Sequence, residues 1–232
     1  MKNANASVNF AGYLDVKNAL YQAFEELKPD NTHELIINEK VGDDPYYWFG
    51  LAMVHASYVG IEQQGRSVHR IFLFGGFIRL QEMTKDGLLL AGCHEMGHGI
   101  GGAPLKVTGT SSEGQSDYFA TKECLKIAFK FLKANPSETI QDNYVTNFCK
   151  TNAKDIKYCL RAFGALRSDI YFFETLGEFA SFDNYSPNRA IIFNNEATYY
   201  PDAQCRIDTM IHGIIGLERP ICWYPNGRER KL

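Results

Sequence analysis

Two histidines and a glutamate lie within the most apolar helical segment of the chain, and this feature limits the folds open to it. Residues 88–93 read L-L-L-A-G-C and continue directly into H-E-M-G-H at 94–98. A helix over this segment is apolar on nearly every side, which predicts a position at the centre of a domain. Buried imidazole nitrogens need a partner there, because unsatisfied polar groups are costly in apolar surroundings. A metal cation is the partner that we expect.

The H-E-x-x-H spacing predicts a metal site on one face of this helix. His94 and His98 are one turn apart and can bind the same ion, while Glu95 can reach a water molecule on it. A catalytic zinc site has three protein ligands and one open position. We therefore predict Zn²⁺ as the cofactor. A metzincin would place a further histidine six residues beyond His98, where this chain has Pro104, so that class is excluded.

The third ligand is expected in the next helix, whose start is marked by the capping-box pair Ser112 and Gln115. Glu113 and Asp117 are four residues apart and face the same way at this helix start. We assign Glu113 as the ligand and Asp117 as the residue that accepts the N–H of a ligand histidine. Two alternatives stay open: Asp117 is itself the ligand, or both acids only interact favourably with the helix dipole.

Sequence periodicity predicts an α+β fold that is mostly helical, with a small antiparallel sheet beside the H-E-x-x-H helix. Residues 68–80, with Gly75 and Gly76 at their centre, predict two short strands joined by a tight turn. Asp86 is expected to cap the central helix, and residues 182–201 to be irregular. Without repeats or linkers, residues 1–232 are predicted to form a single domain. Other helices are expected at 10–27, 45–59, 112–135, 137–151, 154–178 and 202–216.

Composition excludes several classes of function. The net charge of −3 provides no global attraction for nucleic acid, which requires a basic surplus or stripe. No stretch approaches the roughly 18 to 20 apolar residues of a spanning helix, so no integral membrane segment is expected. The first seven residues lack the apolar region of a secretory signal, which suits a cytosolic protein or a mature exported one.

The cysteines favour the exported alternative. No C-x-x-C pair is present among the six, which argues against a zinc knuckle or a redox motif. An even number without a metal pattern suits one to three disulfides and a periplasmic or secreted protein, whereas buried free thiols in the cytoplasm are the alternative. Six cysteines allow fifteen pairings, so the connectivity stays open.

The motif at 94–98 followed by Glu113-x-x-x-Asp117 resembles the gluzincin peptidases, and more closely the family of the CAAX prenyl protease and the heat-shock membrane protease. That family has a strand pair with paired glycines before its active helix, similar to residues 72–78 here. The resemblance covers residues 68–130 and, more loosely, 196–212. The transmembrane helices of the family are absent from this sequence, which resembles a soluble exported bacterial member.

This resemblance implies a zincin-like fold and a zinc-dependent peptidase that hydrolyses peptide bonds through a zinc-bound water activated by Glu95. Its partner is then a peptide or protein substrate, which would add to the edge of the strand pair near residues 77–80. The family has a Thr-His-Pro segment followed by an arginine. Here Tyr200 precedes the proline, and Arg206 follows.

The oxyanion of such a reaction needs a donor besides the metal, and Tyr200 and Tyr199 are the candidates, followed by His212. Ordinary surface packing is the alternative for both tyrosines. Arg206 is expected to orient its loop or to pair with an acid, and a solvated position is the alternative. At the level of the whole chain, the alternative is a catalytically inactive zinc-binding domain with a structural or partner-binding role.

Overall fold

The computed structural model describes residues 8–135, 140–196 and 199–229. About 47% of the chain is helical, and a small sheet accompanies the helices, so the prediction of a mostly helical α+β protein is confirmed. The helices are α1 (Phe10–Leu27), α2 (Tyr47–Gly50), α3 (Gly75–Ile78), α4 (Lys85–Ile100), α5 (Glu113–Phe119), α6 (Leu125–Ala128), α7 (Asn143–Asn152), α8 (Ile156–Thr175) and α9 (Ala203–Ile215). The strands are β1 (His33–Ile37), β2 (Ala56–Gln63) and β3 (Arg66–Leu73).

The three strands form a mixed sheet in the order β1-β3-β2, which places β2 at an edge. β2 pairs with β3 in the antiparallel sense, but β1 runs parallel to β3. The prediction of a purely antiparallel sheet is therefore wrong for one of the two pairings. The reason is the connection: the chain from β1 to β3 passes through α2 and β2, which is long enough for a parallel crossover.

The hairpin turn lies at Gln64-Gly65 and not at the paired glycines. Gln64 and Gly65 have φ values of 51° and 73°, the left-handed backbone that two-residue hairpin turns require. The predicted helix over residues 45–59 is correspondingly wrong beyond α2, because most of its second half is β2.

Of the two strands predicted over residues 68–80, the first is confirmed as part of β3, but the turn and the second strand are wrong because Gly75 and Gly76 begin α3. A Cβ atom on either glycine would overlap a backbone carbonyl oxygen, that of Phe49 or that of Ala52. The glycines therefore permit close backbone packing instead of a turn. Residues 77–80, which we expected at a strand edge, are helical or follow α3 directly.

Helix α4 lies in the centre of the molecule and packs against α1, α5 and α8. All its residues from Asp86 to His98 are buried, as the apolar sequence predicts. Its N-cap is Thr84, whose hydroxyl accepts a hydrogen bond from Gly87 N at 2.9 Å. The prediction of Asp86 as the cap is wrong, because this carboxylate accepts two hydrogen bonds from Arg161 of α8, both of 2.7 Å.

The N-cap predicted at Ser112 is confirmed, since its hydroxyl accepts from Gln115 N. The reciprocal half of the predicted capping box is wrong, because the Gln115 amide donates to the Gly101 carbonyl oxygen and Ser112 N donates to that of Pro104. The helix is shorter than expected: α5 passes into a wider π-type turn over Ala120–Cys124, and α6 ends at Ala128. Residues 136–139, where we expected the next helix to begin, lie outside the described residues, and α7 starts at Asn143. The helix predicted at 202–216 is confirmed as α9.

All six cysteines form disulfides, in the pairs Cys93–Cys124, Cys149–Cys159 and Cys205–Cys222. The expectation of disulfides is confirmed, and the pairing joins α4 to the turn after α5, α7 to α8, and α9 to the C-terminal segment. Across the described ranges, no helix combines the length and the apolar character needed to cross a bilayer.

Candidate metal centre

Two neighbouring helices bring His94, His98 and Glu113 together. The histidines project from α4 one turn apart, and Glu113 is the first residue of α5. His94 Nε2 lies 3.2 Å from Glu113 Oε2, and His98 Nε2 lies 3.5 Å from Glu113 Oε1. All three side chains are buried, and their ligand atoms lie within 4.8 Å of one another.

These separations suit a divalent ion. Ligand atoms bound tetrahedrally to zinc at about 2.0 to 2.1 Å lie roughly 3.4 Å from one another. The two measured nitrogen–oxygen separations, one to each oxygen of Glu113, are close to that value, and one ligand atom from each residue lies within 4.8 Å of the others. The donor set of two imidazoles and one carboxylate is also one that zinc accepts. The three residues can therefore hold a divalent metal ion.

Asp117 orients His94 through the ring nitrogen that does not face Glu113. Its Oδ1 accepts a hydrogen bond from His94 Nδ1 at 2.7 Å, which directs Nε2 towards Glu113. Arg206 of α9 in turn donates two hydrogen bonds of 2.8 Å to the Asp117 carboxylate. Asp117 and Arg206 are thus supports for a histidine and not ligands, as we expected for Asp117. The alternative of a solvated Arg206 is wrong, because its side chain is largely buried in this pair.

His98 has a different support, which the sequence did not reveal. Its Nδ1 lies 2.9 Å from the carbonyl oxygen of Ser111 and 2.9 Å from the hydroxyl of Ser116. Because a carbonyl only accepts, Nδ1 carries the hydrogen and Nε2 is left as the metal-binding atom. Ser111 lies in the irregular segment between α4 and α5, so no periodic pattern marks it.

The two histidines titrate in opposite directions. Burial opposes a charge on His94, but the Asp117 and Glu113 carboxylates outweigh it and raise the pKa of His94 to about 10. Burial and the charge of His94 lower the pKa of His98 to about 4. Metal binding requires neutral imidazoles, so an ion at this site would displace a proton from His94.

Glu95 follows His94 on α4 and lines the cleft onto which the three ligand side chains open. Its side chain is only 7% exposed, and burial raises the pKa of its carboxyl to about 7. A carboxylate with a pKa near neutrality is suited to accept and return a proton.

Lys106, like Ser111, is a residue of this centre that the sequence did not predict. It lies in the segment between α4 and α5, and its ammonium group is 3.0 Å from Glu113 Oε1. The Glu113 carboxylate therefore has one oxygen facing His94 and the other facing both His98 and Lys106. Burial opposes ionisation of Glu113, but its hydrogen bond with His94 and the nearby positive charges hold its pKa below the usual range.

The metal-binding residues open onto a cleft of about 580 Å³, within the range typical of small-molecule and peptide sites. One wall is formed by His55 and the first three residues of the edge strand β2, residues 56–58. Another wall is formed by α8 and the adjoining residues 176 and 178, and further residues come from α3 and α9. Residues 77–80 provide no strand edge for a substrate, because they belong to or follow α3; Phe77 lines this cleft, and β2 is the strand that borders it.

The candidate oxyanion donors are separated by the fold. Tyr200 lines the cleft and is 60% exposed, and burial together with the charge of Glu113 raises the pKa of its hydroxyl. Tyr199 does not line this cleft. His212 is directed elsewhere: its Nδ1 lies 2.6 Å from the carbonyl oxygen of Glu218, beside a separate cavity. Residue 198, which precedes these tyrosines, lies outside the described residues.

Comparison of the chain with protein-family models, with curated proteins and with solved structures finds no match.

Proposed function

We propose that this protein is a zinc-dependent peptidase of the gluzincin type. The observation that carries the proposal is the convergence of His94, His98 and Glu113 beside a buried Glu95 at the edge of a substrate-sized cleft. A purely structural zinc has a fourth protein ligand and no use for an adjacent carboxylate. Among the described residues, only these three form a group that could hold a metal ion.

The chemistry divides between the ion and the residues of the chain. A zinc ion held there would act as a Lewis acid and lower the pKa of a bound water towards neutrality. Glu95 takes the proton of the attacking water and returns it to the leaving amine. Its pKa of about 7 suits both halves of this cycle, because the same group must accept and then donate near neutral pH.

Tyr200 and Lys106 are the two donors that we propose for the developing oxyanion. Both line the cleft, and Lys106 lies 3.0 Å from the ligand Glu113. Removal of one such donor costs about 2.7 to 4 kcal/mol of transition-state stabilisation in other enzymes.

An extended peptide would add to β2. This strand lies at the edge of the sheet, and its first three residues, together with the preceding His55, line the cleft. Backbone groups on an open strand edge recognise a peptide without a side-chain requirement. The three disulfides support a periplasmic or secreted location for this activity, since such bonds persist in oxidising compartments.

The experiment that tests this function compares the zinc-loaded protein with Glu95→Gln on denatured casein. We expect hydrolysis by the unchanged protein and a loss of about 10² to 10⁴-fold in Glu95→Gln, the range that general acid–base groups contribute. Both proteins should hold about one zinc ion per chain, whereas His98→Ala should bind little zinc. Glu174→Gln, an exposed acid on α8 outside the cleft, is the matched control and should keep full activity.

Each outcome has a distinct meaning. Residual activity in Glu95→Gln would remove Glu95 from its assigned role. Zinc binding by the unchanged protein without hydrolysis of casein or of mixed peptides would favour the catalytically inactive zinc-binding domain. Absence of zinc binding would contradict both.

A further inference from the structure

Asp169 is a buried acid in the wall of the cleft that the proposed reaction does not use. It lies on α8 and is 8% exposed. Phe172, Phe173 and Leu176 follow it at helical spacing and line the same cleft. Phe173 is 5% exposed and Leu176 is 59% exposed, so this wall of the cleft is buried at Asp169 and exposed to solvent at Leu176.

The carboxylate of Asp169 has no ion-pair or hydrogen-bond partner among the described residues. Arg206 is the cation that acts on it most strongly, but both hydrogen bonds that Arg206 donates to a carboxylate go to Asp117. Natural proteins seldom bury an acid without a partner, because the loss of hydration is not recovered. An acid left in this state beside a cleft is therefore suited to a cationic ligand.

The surroundings of Asp169 define the shape of that ligand. The cleft beside it is lined by apolar side chains from three elements: Phe77 of α3, whose ring packs edge-on against Phe172, Met210 of α9, and the aromatic residues of α8. An apolar stem can pack along this lining while a charged tip reaches the inner carboxylate. Lysine and arginine side chains have this construction.

We propose that Asp169 is a specificity-determining residue that selects a lysine or arginine side chain of the substrate next to the metal centre. This inference rests on the proposed peptidase function and deepens it by naming the substrate class. Some serine peptidases select the same side chains with a carboxylate in the pocket that binds the substrate side chain.

The ionisation of Asp169 supports this assignment. Burial raises its pKa to about 7 against the opposing charge of Arg206, so full ionisation near neutral pH requires a further counter-charge. An ammonium or guanidinium group in the pocket would supply that charge and form a charge-assisted hydrogen bond. A neutral side chain of the same length would leave the acid as it is.

The test uses binding, so that it does not depend on turnover. The zinc-loaded Glu95→Gln protein is titrated calorimetrically with an acetylated, amidated octapeptide that contains one lysine among alanines and serines. The comparison peptide has norleucine instead, which keeps the four-carbon stem and lacks the ammonium group. We expect the lysine peptide to bind about tenfold more tightly or better.

Variants identify the residue responsible. Adding Asp169→Asn to the Glu95→Gln protein should bring the ratio of the two affinities to about one, and Asp169→Leu should favour norleucine. Glu174→Gln, at an exposed acid five residues further along α8, should keep the lysine preference. Thermal unfolding of each variant, followed by circular dichroism, verifies that it is folded.

Three results would overturn the proposal: equal affinities in the Glu95→Gln protein, a lysine preference that survives Asp169→Asn, or no binding of either peptide. The proposed function fails separately. A protein that prefers the lysine peptide but hydrolyses nothing with Glu95 intact would keep the assignment of Asp169 and lose the peptidase. A protein that cleaves casein without preference for basic residues would keep the proposed peptidase function and lose the assignment of Asp169.

Discussion

Two buried aspartates of this protein are held in the same way, and the comparison isolates what the metal centre adds. Asp86 and Asp117 each accept two hydrogen bonds from an arginine, Arg161 and Arg206 respectively. Only Asp117 also accepts from a ligand histidine. Both pairs resist separation, because removal of one partner leaves a buried charge uncompensated. Asp117 has the additional task of fixing the orientation of His94.

Asp117→Asn should therefore weaken zinc binding about 10 to 100-fold, the usual effect of removing a support behind a metal-binding histidine. The affinity is measured by competition with a chromophoric chelator on protein shown to be folded. Asp86→Asn is the matched control, since it breaks an equivalent buried pair away from the ligands. Equal zinc affinities in the two variants would mean that Asp117 has no role beyond folding.

The sequence reveals the residues of this centre to different extents. His94, Glu95 and His98 follow from the fixed geometry of one helix, and Glu113 follows from a cap signal at the start of the next. Lys106 and Ser111 lie in an irregular segment, where spacing along the chain does not determine position in space. Their contacts with Glu113 and His98 are properties of the folded loop. Asp169 is near the centre only because α8 packs against α4.

The three strands are joined by a chain of side chains as well as by backbone pairing. His33 of β1 lies 2.9 Å from His69 of β3 between ring nitrogens, and the other ring nitrogen of His69 lies 2.7 Å from the Tyr58 hydroxyl of β2. His69 is buried, and burial together with the charge of His33 lowers its pKa to about 4, against a smaller opposing effect of Glu62. The folded sheet thus holds His69 neutral.

This ionisation predicts that the sheet loses stability in acid. An unfolded chain binds a proton at this histidine from about pH 6.5 downwards, whereas the folded protein does so only near pH 4. Unfolding takes up a proton in between, so the free energy of unfolding falls as the pH is lowered from 7 to 5. His69→Gln should reduce this fall by about 1 to 2 kcal/mol. Urea unfolding of the metal-free protein at several pH values measures it.

The variants are compared by the slope of the free energy of unfolding against pH and not by its absolute value, because His69→Gln also alters the hydrogen bond to Tyr58. Glu95 has the opposite effect: its pKa is raised to about 7, so its contribution to stability falls as the pH rises from about 4.5 to 7. Subtracting the pH slope of His69→Gln from that of the unchanged protein cancels the contribution of Glu95, which both proteins share. His55→Gln, at an exposed position, is the control. An identical slope in His69→Gln and the unchanged protein would contradict the prediction.

Sequence patterns located the long helices well and the sheet badly, for a physical reason. Helices α1 and α9 have a clear apolar period and a terminating signal, and both lie where it predicts. β2 is half-exposed to exposed along its length, so it lacks the alternation of a strand with one buried face. The paired glycines Gly75 and Gly76 predict a turn, whereas in the structure they permit close approach to another part of the backbone.

One cluster of buried apolar residues extends from Val8 to Ile214 and includes four of the six cysteines. The disulfides therefore lie within packed structure and do not replace a core. Cys93–Cys124 spans 31 residues and joins α4 to the turn after α5, so it connects the two helices that supply the metal ligands. Cys149–Cys159 spans 10 residues and joins α7 to α8 only.

Removal of these two bridges should have different consequences. On the chain-entropy model, the longer loop contributes about 4 kcal/mol and the shorter about 3 kcal/mol to the free energy of unfolding. The double variant Cys93→Ala/Cys124→Ala should therefore be the less stable of the two in urea without metal. It should also bind zinc more weakly, because α5 is then less firmly held against α4. Cys149→Ala/Cys159→Ala should keep the zinc affinity of the unchanged protein. An equal loss of zinc affinity in both double variants would show that the bridge next to His94 has no special effect on the metal centre.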